Sequence, residues 1–374
     1  MLCAGFPVFA AETAGEGEAT AELQKPVVSA KSAVLLTADT GKLLFEENMD
    51  QRLPMASTTK IMTALIAVEE METIGNPIVE ITDEMVRVEG SSMGLRAGDR
   101  LGLEGIAGGM MMSSGNDAAN SIALYLGGSA EGFAEMMNSR AAEIGMLNTN
   151  FVTASGLDDD EHYSTAYDMG LLGIEAMKND ILREICASQS IAVKFEAPVQ
   201  TYHLKNHNKL LGMYNGCIGV KTGFTKKSGR CLVSAAERDG IRLIAVTINA
   251  PDDWNDHIKM LDYGFTQVTK RKFDESSFKM RIPVAGGETE EIFVQGIYGG
   301  EVTVMREAED RLMRIVRLPR FLYAGIIKGE TVGRIDYYSN GELVYSLPIK
   351  AAQDVKKAET RKEIWKRIFH RDYE

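Results

Sequence analysis

The period of the hydrophobic pattern changes twice along this chain, and the order of those changes limits the fold more than any other feature. "SAVLLTADTGKLLFEEN" reads as two β-strands around a turn at Asp39-Thr40-Gly41-Lys42. From Ser57 to about Met71 the spacing is helical, with Ile61, Leu65, Ile66 and Val68 on the apolar side, and helical segments dominate to about residue 187. Strands return in "GCIGVKTG", "GRCLVSAAE" and "IRLIAVTINA", and the helix "DDWNDHIKMLDYGFTQV" closes the region near 268. Strands, then helices, then antiparallel strands give an α+β order, not an alternating βαβ one.

Beyond about 270 short alternating strands take over, such as "FKMRIPVAGG", "EEIFVQG" and "GRIDYYSNGELVYSLPIKA", with Gly and Asn-Gly turns between them. The expected organisation is a residual signal sequence and spacer over 1–28, a catalytic domain over 29–268, a β-rich domain over 269–350 and an amphipathic helix over 351–374. In that last stretch Ile364, Trp365, Ile368 and Phe369 gather on one side and Lys/Arg on the other. Such a tail can lie in a membrane interface or pack on a neighbouring domain.

Composition excludes some classes of function. Acidic residues outnumber basic ones, 53 to 41, for a net charge of −12, so nucleic acid is not an expected partner. No apolar run reaches the roughly 18 residues of a membrane span. The opening "MLCAGFPVFAAETAGEGEATAELQKP" has an apolar stretch ending in small residues, which reads as the tail of a secretory signal. Cys3 falls in that leader, and no C-x-x-C occurs. Cys217 and Cys231 flank a strand pair and form either a disulfide or two buried thiols. His203 and His207 stand four apart in "HLKNHNK" but lack the glutamate of a zinc-protease motif. "DDDE" at 158–161 lacks the closing glutamate of a calcium loop and reads as a solvated loop edging a cleft. No metal and no cofactor are expected.

The chemistry concentrates in three short stretches. In "PMASTTKIMTA" Ser57 and Lys60 are three apart at a helix start, so they share a face. A serine hydroxyl needs a base to become a nucleophile, and a lysine can serve only when neutral. Partial burial near the positive end of a helix favours the neutral amine, and the same helix end offers N–H groups to an oxyanion. S-x-x-K alone is weak evidence, since Ser276 and Lys279 repeat it without support. The first instance has company: Ser114-Gly115-Asn116 in "MMSSGNDAAN" and Lys221-Thr222-Gly223 in "GVKTGFT". A hydroxyl and an amide two apart suit proton relay and substrate holding, and a lysine and threonine at a strand end suit a carboxylate.

S-x-x-K, S-x-N and K-T-G in that order resemble the penicillin-binding proteins and serine β-lactamases. Over about 30–350 the chain is similar to low-molecular-mass penicillin-binding proteins that act as serine D-alanyl-D-alanine carboxypeptidases, on a β-lactamase/transpeptidase-like catalytic fold. The resemblance implies that Ser57 attacks the carbonyl between the terminal D-alanines of a peptidoglycan stem peptide and that Lys60 takes its proton. It implies that Ser114 and Lys221 protonate the departing D-Ala, that Asn116 orients the acyl-enzyme and that Thr222 binds the terminal carboxylate. Gly223 would leave room for substrate backbone, and the resemblance implies that the N–H groups of Ser57 and Phe224 form the oxyanion hole. β-Lactam antibiotics would be covalent inhibitors. The location implied is extracytoplasmic, after export, on the outer face of the cytoplasmic membrane. A β-lactamase, an endopeptidase or transpeptidase, and a weakly catalytic cell-wall-binding module are the alternatives. "TASGL" stands where many relatives have Asn-Pro, and residue 224 is Phe where some carry His. The glycine-rich "LEGIAGGMMM" is expected to loosen the helix that leads to Ser114.

Overall fold

The computed structural model describes residues 24–359, the side chains of 309 and 310 apart. The expected signal segment up to residue 23, with Cys3, and the tail 360–374 lie outside the described residues.

A five-stranded antiparallel sheet organises the first two thirds of the chain. Its order in space is Leu43–Glu47, Ser32–Thr37, Ile241–Ile248, Gly229–Arg238 and Cys217–Thr225. Successive side chains of a strand face opposite ways, and here both faces are covered. Leu35, Leu243 and Ala245 pack under Met260 and Leu261 of the helix Asp253–Gln267. Val34, Leu36, Ile244 and Val246 pack against Ile61 and Leu65 of the helix Lys60–Ile74 and Met169 and Leu172 of the helix Ala166–Ala176. That two-sided cover is why the stretch 243–246 reads as an unbroken apolar run.

The helix Lys60–Ile74 departs from its expected one-sided pattern. Every residue from Lys60 to Val68 is buried, so it is a central helix surrounded by protein. The helices Leu103–Ser113, Asn116–Gly127, Ala130–Ile144 and Asp180–Ala187 complete its surroundings. Within this helical stretch the structure adds a four-stranded antiparallel sheet, Ile78–Glu80, Arg100–Gly102, Ser190–Ala197 and Gln200–Lys205. His203 lies on its last strand, so the four-residue spacing to His207 is not a helical one.

The glycines before Ser114 do not loosen their helix, which runs unbroken over Leu103–Ser113. A Cβ at Gly109 would meet Met93 Sδ at 2.3 Å, and one at Gly108 would meet Ile191 Cδ1 at 2.8 Å. These positions are bare because neighbouring side chains occupy the space. Cys186, Cys217 and Cys231 are free thiols. The ladder pairs Cys217 with Ala236 and Cys231 with Gly223. The two cysteines are therefore separated by about 20 Å along the strands, where a disulfide needs Cα atoms within about 7 Å.

The helix Asp253–Gln267 leads directly into the strand Val268–Asp274, which pairs with Tyr298–Met305. A six-stranded sheet follows, ordered Met313–Arg317, Thr331–Ser339, Glu342–Ala351, Glu291–Gln295, Lys279–Ala285 and Leu322–Tyr323. Asn340 and Gly341 both have positive φ (51° and 84°), the geometry a two-residue hairpin requires. The turn between the first two strands ties the halves together. Asp39 accepts from the Thr303 main-chain N–H at 2.8 Å and from Lys270 Nζ at 3.0 Å, and Lys42 pairs with Glu342 at 2.8 Å.

The expected helix over 351–374 is corrected for its described part. Residues 351–359 are not helical: Val355 is buried in the β-rich core and bridges Ile326, and Lys357 bridges Gly287. Apolar Val355 gains more from that core than from a solvated helix turn. Among the described residues no helix is long and apolar enough to cross a membrane.

The close fit of helix on sheet gives a stability prediction. A Cβ at Gly264 would meet Leu35 Cδ2 at 2.6 Å and Leu243 Cδ1 at 2.8 Å. Gly264→Val should destabilise the protein by about 1–3 kcal/mol in denaturant titration, while the exposed Thr266→Val should change little.

Candidate active site

The strand Cys217–Thr225 is the sheet edge that meets the start of the central helix. One 3-10 turn, Ala56–Thr59, carries Ser57 and passes straight into the helix that begins at Lys60. Ala56 adopts φ +48°, in the left-handed region that a residue with a Cβ seldom visits. Such strain persists where surrounding contacts over-determine it. Here Thr58 Oγ1 donates to Met55 O at 2.5 Å, and Gly156 lies against the Ala56 carbonyl.

Lys60 is fully buried, and its Nζ has three partners: Ser57 Oγ at 3.0 Å, Asn116 Oδ1 at 2.7 Å and the Ser155 carbonyl at 2.6 Å. Burial, and then the positive charge of Lys221, hold its pKa well below that of an ordinary lysine, with Asp117 pulling the other way. Lys221 is also buried and donates to Thr222 O at 2.9 Å. Its burial lowers its pKa to about 8. The site thus holds two desolvated amines, each biased toward losing its proton.

Asn116 opens the helix Asn116–Gly127. It donates through Nδ2 to Glu89 O at 2.7 Å, so its Oδ1 is oriented toward Lys60. Gly90 makes room for it, since a Cβ there would stand 2.7 Å from Asn116 Nδ2. Ser114, at φ +59°, terminates the preceding helix and is almost wholly buried; neither lysine hydrogen-bonds its hydroxyl. Thr222 is half-buried and Phe224 is 66% exposed. The three motifs therefore converge, with Ser57, Lys60 and Asn116 joined directly and Ser114 and the K-T-G strand alongside.

Gly223 also has a close neighbour within the protein itself. A Cβ there would meet the N–H nitrogens of Ser57 and Thr58 at 3.0 Å and Met55 O at 3.1 Å. The backbone that approaches it is the protein's own turn carrying Ser57, so the glycine seats that turn on the sheet edge.

Sequence reasoning missed the parts played by Ser155, Thr63 and His162 around the segment 151–165. Ser155 supplies a carbonyl to Lys60, and Thr63 Oγ1 holds Ala154 O at 2.6 Å. His162 fixes this segment: its Nδ1 accepts from the Val152 and Thr153 N–H groups at 2.9 and 3.3 Å. That leaves its hydrogen on Nε2, facing Thr59 Oγ1 at 2.8 Å, and burial lowers its pKa to about 4, so the ring stays neutral. Asp117 was also missed; it accepts from the N–H groups of Met93, Gly94 and Leu95 and tethers the loop before the helix Leu103–Ser113. The small residues in "TASGL" were the available signal, because a close-packed turn needs them. The acidic "DDDE" loop edges the K-T-G strand: Thr225 Oγ1 donates to Asp158 at 2.9 Å, and Lys227 pairs with Asp160 at 2.5 Å.

Residues 19–252 match the family described as D-alanyl-D-alanine carboxypeptidase, and residues 277–357 match the C-terminal domain of penicillin-binding protein 5. The chain belongs to the D-alanyl-D-alanine carboxypeptidase family. It is 32% identical to the D-alanyl-D-alanine carboxypeptidase DacF of Bacillus subtilis, over 92% of this chain and 89% of that one. It is 33% identical to DacC of Escherichia coli, covering 97% and 94%. Penicillin-binding protein 5 from Haemophilus influenzae has a similar structure, with TM-score 0.76 and 25% identity over 90% of this chain and 100% of that one. The Streptomyces K15 DD-transpeptidase is similar over 65% of this chain, with TM-score 0.62 and 31% identity. The enzyme is a serine D,D-carboxypeptidase with the penicillin-binding protein fold of a catalytic and a C-terminal β domain.

The packing beneath Ser57 can be tested directly. A Cβ at Gly156 would stand 1.9 Å from Ala56 O, at φ +80°. Gly156→Ala should displace the nucleophile turn and slow acylation by benzylpenicillin about 100-fold, read as adduct formation by intact mass. Gly128→Ala, where nothing lies within 4 Å of the added carbon despite φ +71°, controls for backbone strain alone.

Proposed function

We propose that Ser57 is the acylated nucleophile and Lys60 its general base, acting on peptidoglycan stem peptides that end in D-Ala-D-Ala. The observation that carries this reading is the set of partners around Lys60 Nζ. A neutral amine has two N–H donors and one lone pair. Asn116 Oδ1 and the Ser155 carbonyl can only accept, and they take the two shorter contacts. The lone pair then faces Ser57 Oγ, the one partner that can reverse direction and donate. Neutral Lys60 is thus aimed at the proton that must leave.

In this reading the Ser57 oxygen bonds to the carbonyl carbon of the penultimate D-Ala as its proton passes to Lys60. The N–H groups of Ser57 and Phe224 receive the oxyanion. The C–N bond breaks, and Ser114 with Lys221 delivers a proton to the departing D-Ala amine. Asn116 orients the acyl-enzyme, and Thr222 holds the terminal carboxylate beside the Lys221 ammonium. Water then attacks the ester and releases the shortened peptide. A β-lactam acylates Ser57 in the same way, but its leaving group stays tethered. Such a substrate puts the enzyme outside the cytoplasmic membrane, in keeping with the signal-like opening.

Two experiments test these roles. Wild type should gain one benzylpenicillin mass and Ser57→Ala none, and Ser57→Ala should lose D-alanine release by about four orders of magnitude. An adduct on Ser57→Ala would reassign the nucleophile. The second is the pH profile of kcat/KM. It should fall as pH drops and Lys60 takes up its proton, and fall again above about 8 as Lys221 loses its own. Lys221→Arg should remove the alkaline fall; its persistence would assign that limb to another group.

A further inference from the structure

Among the described residues, the outer edge of the β-rich domain carries large apolar side chains that nothing covers. In "RFLYAGIIK", Phe321, Tyr323 and Ile327 are 46%, 75% and 69% exposed. The Phe321 and Tyr323 rings meet edge to face with centroids 5.2 Å apart, so they form one aromatic surface and not two scattered residues. The alternate residues Leu322 and Ile326 turn inward to the core that holds Val355. Leu322–Tyr323 is the last strand of the six-stranded sheet, and Ile327 is held just beyond it, its N–H on Glu330 Oε2 at 3.1 Å.

The segment that pins this edge is the one that leads to the end of the chain. Gly325 N–H donates to Val355 O at 2.8 Å, Ile326 bridges Val355, and Lys328 N–H donates to Asp354 Oδ1 at 2.7 Å. Lys357 lies across Gly325, its Cε 3.6 Å from where a Cβ would stand. Asp354 and Glu330 are occupied by the loop's own N–H groups, while Arg320, Lys328, Lys356 and Lys357 are exposed around it. The chain then continues into residues 360–374, where Ile364, Trp365, Ile368 and Phe369 alternate with lysines and arginines.

We propose that Phe321, Tyr323 and Ile327 form a second membrane-docking site, seated in the interface of an anionic bilayer beside the tail. This rests on the reading that the enzyme works at the outer face of the cytoplasmic membrane. Tyrosine and its neighbouring cations suit the headgroup layer, where one end of a side chain is apolar and the other wet. The energetic reason for two sites is that one short membrane signal binds marginally and reversibly, whereas two together hold stably. Continuity of chain argues for that occupant: Val355 is bridged to Ile326 at this edge, so a surface that receives residues 360–374 lies within reach of it.

The test uses the full chain and vesicles of phosphatidylethanolamine with phosphatidylglycerol. The triple variant Phe321→Ser, Tyr323→Ser, Ile327→Ser should partition into vesicles roughly tenfold less than wild type, while D-alanine release from a soluble peptide stays unchanged. Equal partition of the two, or a wild type that does not float, overturns the proposal. The Tyr323→Trp variant guards against a folding artefact. Its added fluorescence should be quenched by lipids brominated on their acyl chains, beyond the quenching of the parent, and no added quenching overturns the proposal. Wild type that floats yet releases no D-alanine would instead fault the catalytic reading and leave the patch standing.

Discussion

The structure depends on one unfavourable act, the complete burial of the Lys60 amine. Moving an ammonium from water into protein costs several kcal/mol on the order of a small domain's whole stability. Three short contacts offset part of that, and losing the proton offsets more. The neighbouring elements are placed by this need for partners. Asn116 must reach in from the start of its helix, and the segment before Gly156 must turn its Ser155 carbonyl inward. The second buried amine, Lys221, adds repulsion that only a deprotonated partner relieves. An amine biased toward its neutral form beside Ser57 thus follows from burial and charge, without any residue specialised for it.

Close seating of the site comes from absent side chains. Gly223 lets the sheet edge touch the Ser57 turn, Gly156 lets the loop touch the Ala56 carbonyl, and Gly90 admits the Asn116 amide. Each contact joins two elements far apart in sequence, so the strained Ala56 and Ser114 backbones are held from several sides. His162 does for the 151–157 segment what a metal or a disulfide does elsewhere. Its neutral ring takes two N–H groups on one nitrogen and faces a hydroxyl with the other. Because burial depresses this ring to about 4, acid must charge it in the unfolded chain before the folded one. Its contribution to stability is therefore whole above about 6.5 and is lost as the pH falls toward 4.

What could be read in the sequence follows from how local each determinant is. Serine and lysine three apart, or threonine and glycine beside a lysine, are short-range patterns, and the structure brings those motifs together. The α+β order was legible because helical and strand periods are also local. The strands Ile78–Glu80 and Arg100–Gly102 were not, since three residues are too few to show a period, and they exist by pairing with the hairpin 190–205. The all-round burial of Lys60–Ile74 is a tertiary fact that a one-sided helical reading could not supply. Carbonyl partners escape sequence reading altogether, because every residue has a carbonyl and nothing in "TASGL" marks which one will face an amine. The glycines of "LEGIAGGMMM" were misread for a related reason. A bare position means freedom or crowding, and only the neighbours, Met93 and Ile191, decide which.

Asp39 shows how the same accounting extends between the two domains. It sits in the turn after the first strand, accepts the Thr303 N–H and pairs with Lys270, and its pKa is lowered. Burial works against that lowering as the largest single influence, so the Thr303 and Lys270 contacts together must outweigh it. The Thr303 hydroxyl is near enough to help hold the carboxylate ionised, yet reaches no partner in hydrogen-bonding geometry. A depressed carboxylate favours the folded state above its ordinary pKa near 4 and gives that up only as the pH falls further. The Asp39 contacts with Thr303 and Lys270 therefore keep their full contribution at neutral pH. Catalytic and β-rich domains are thus coupled by a carboxylate whose partners outweigh the cost of its burial.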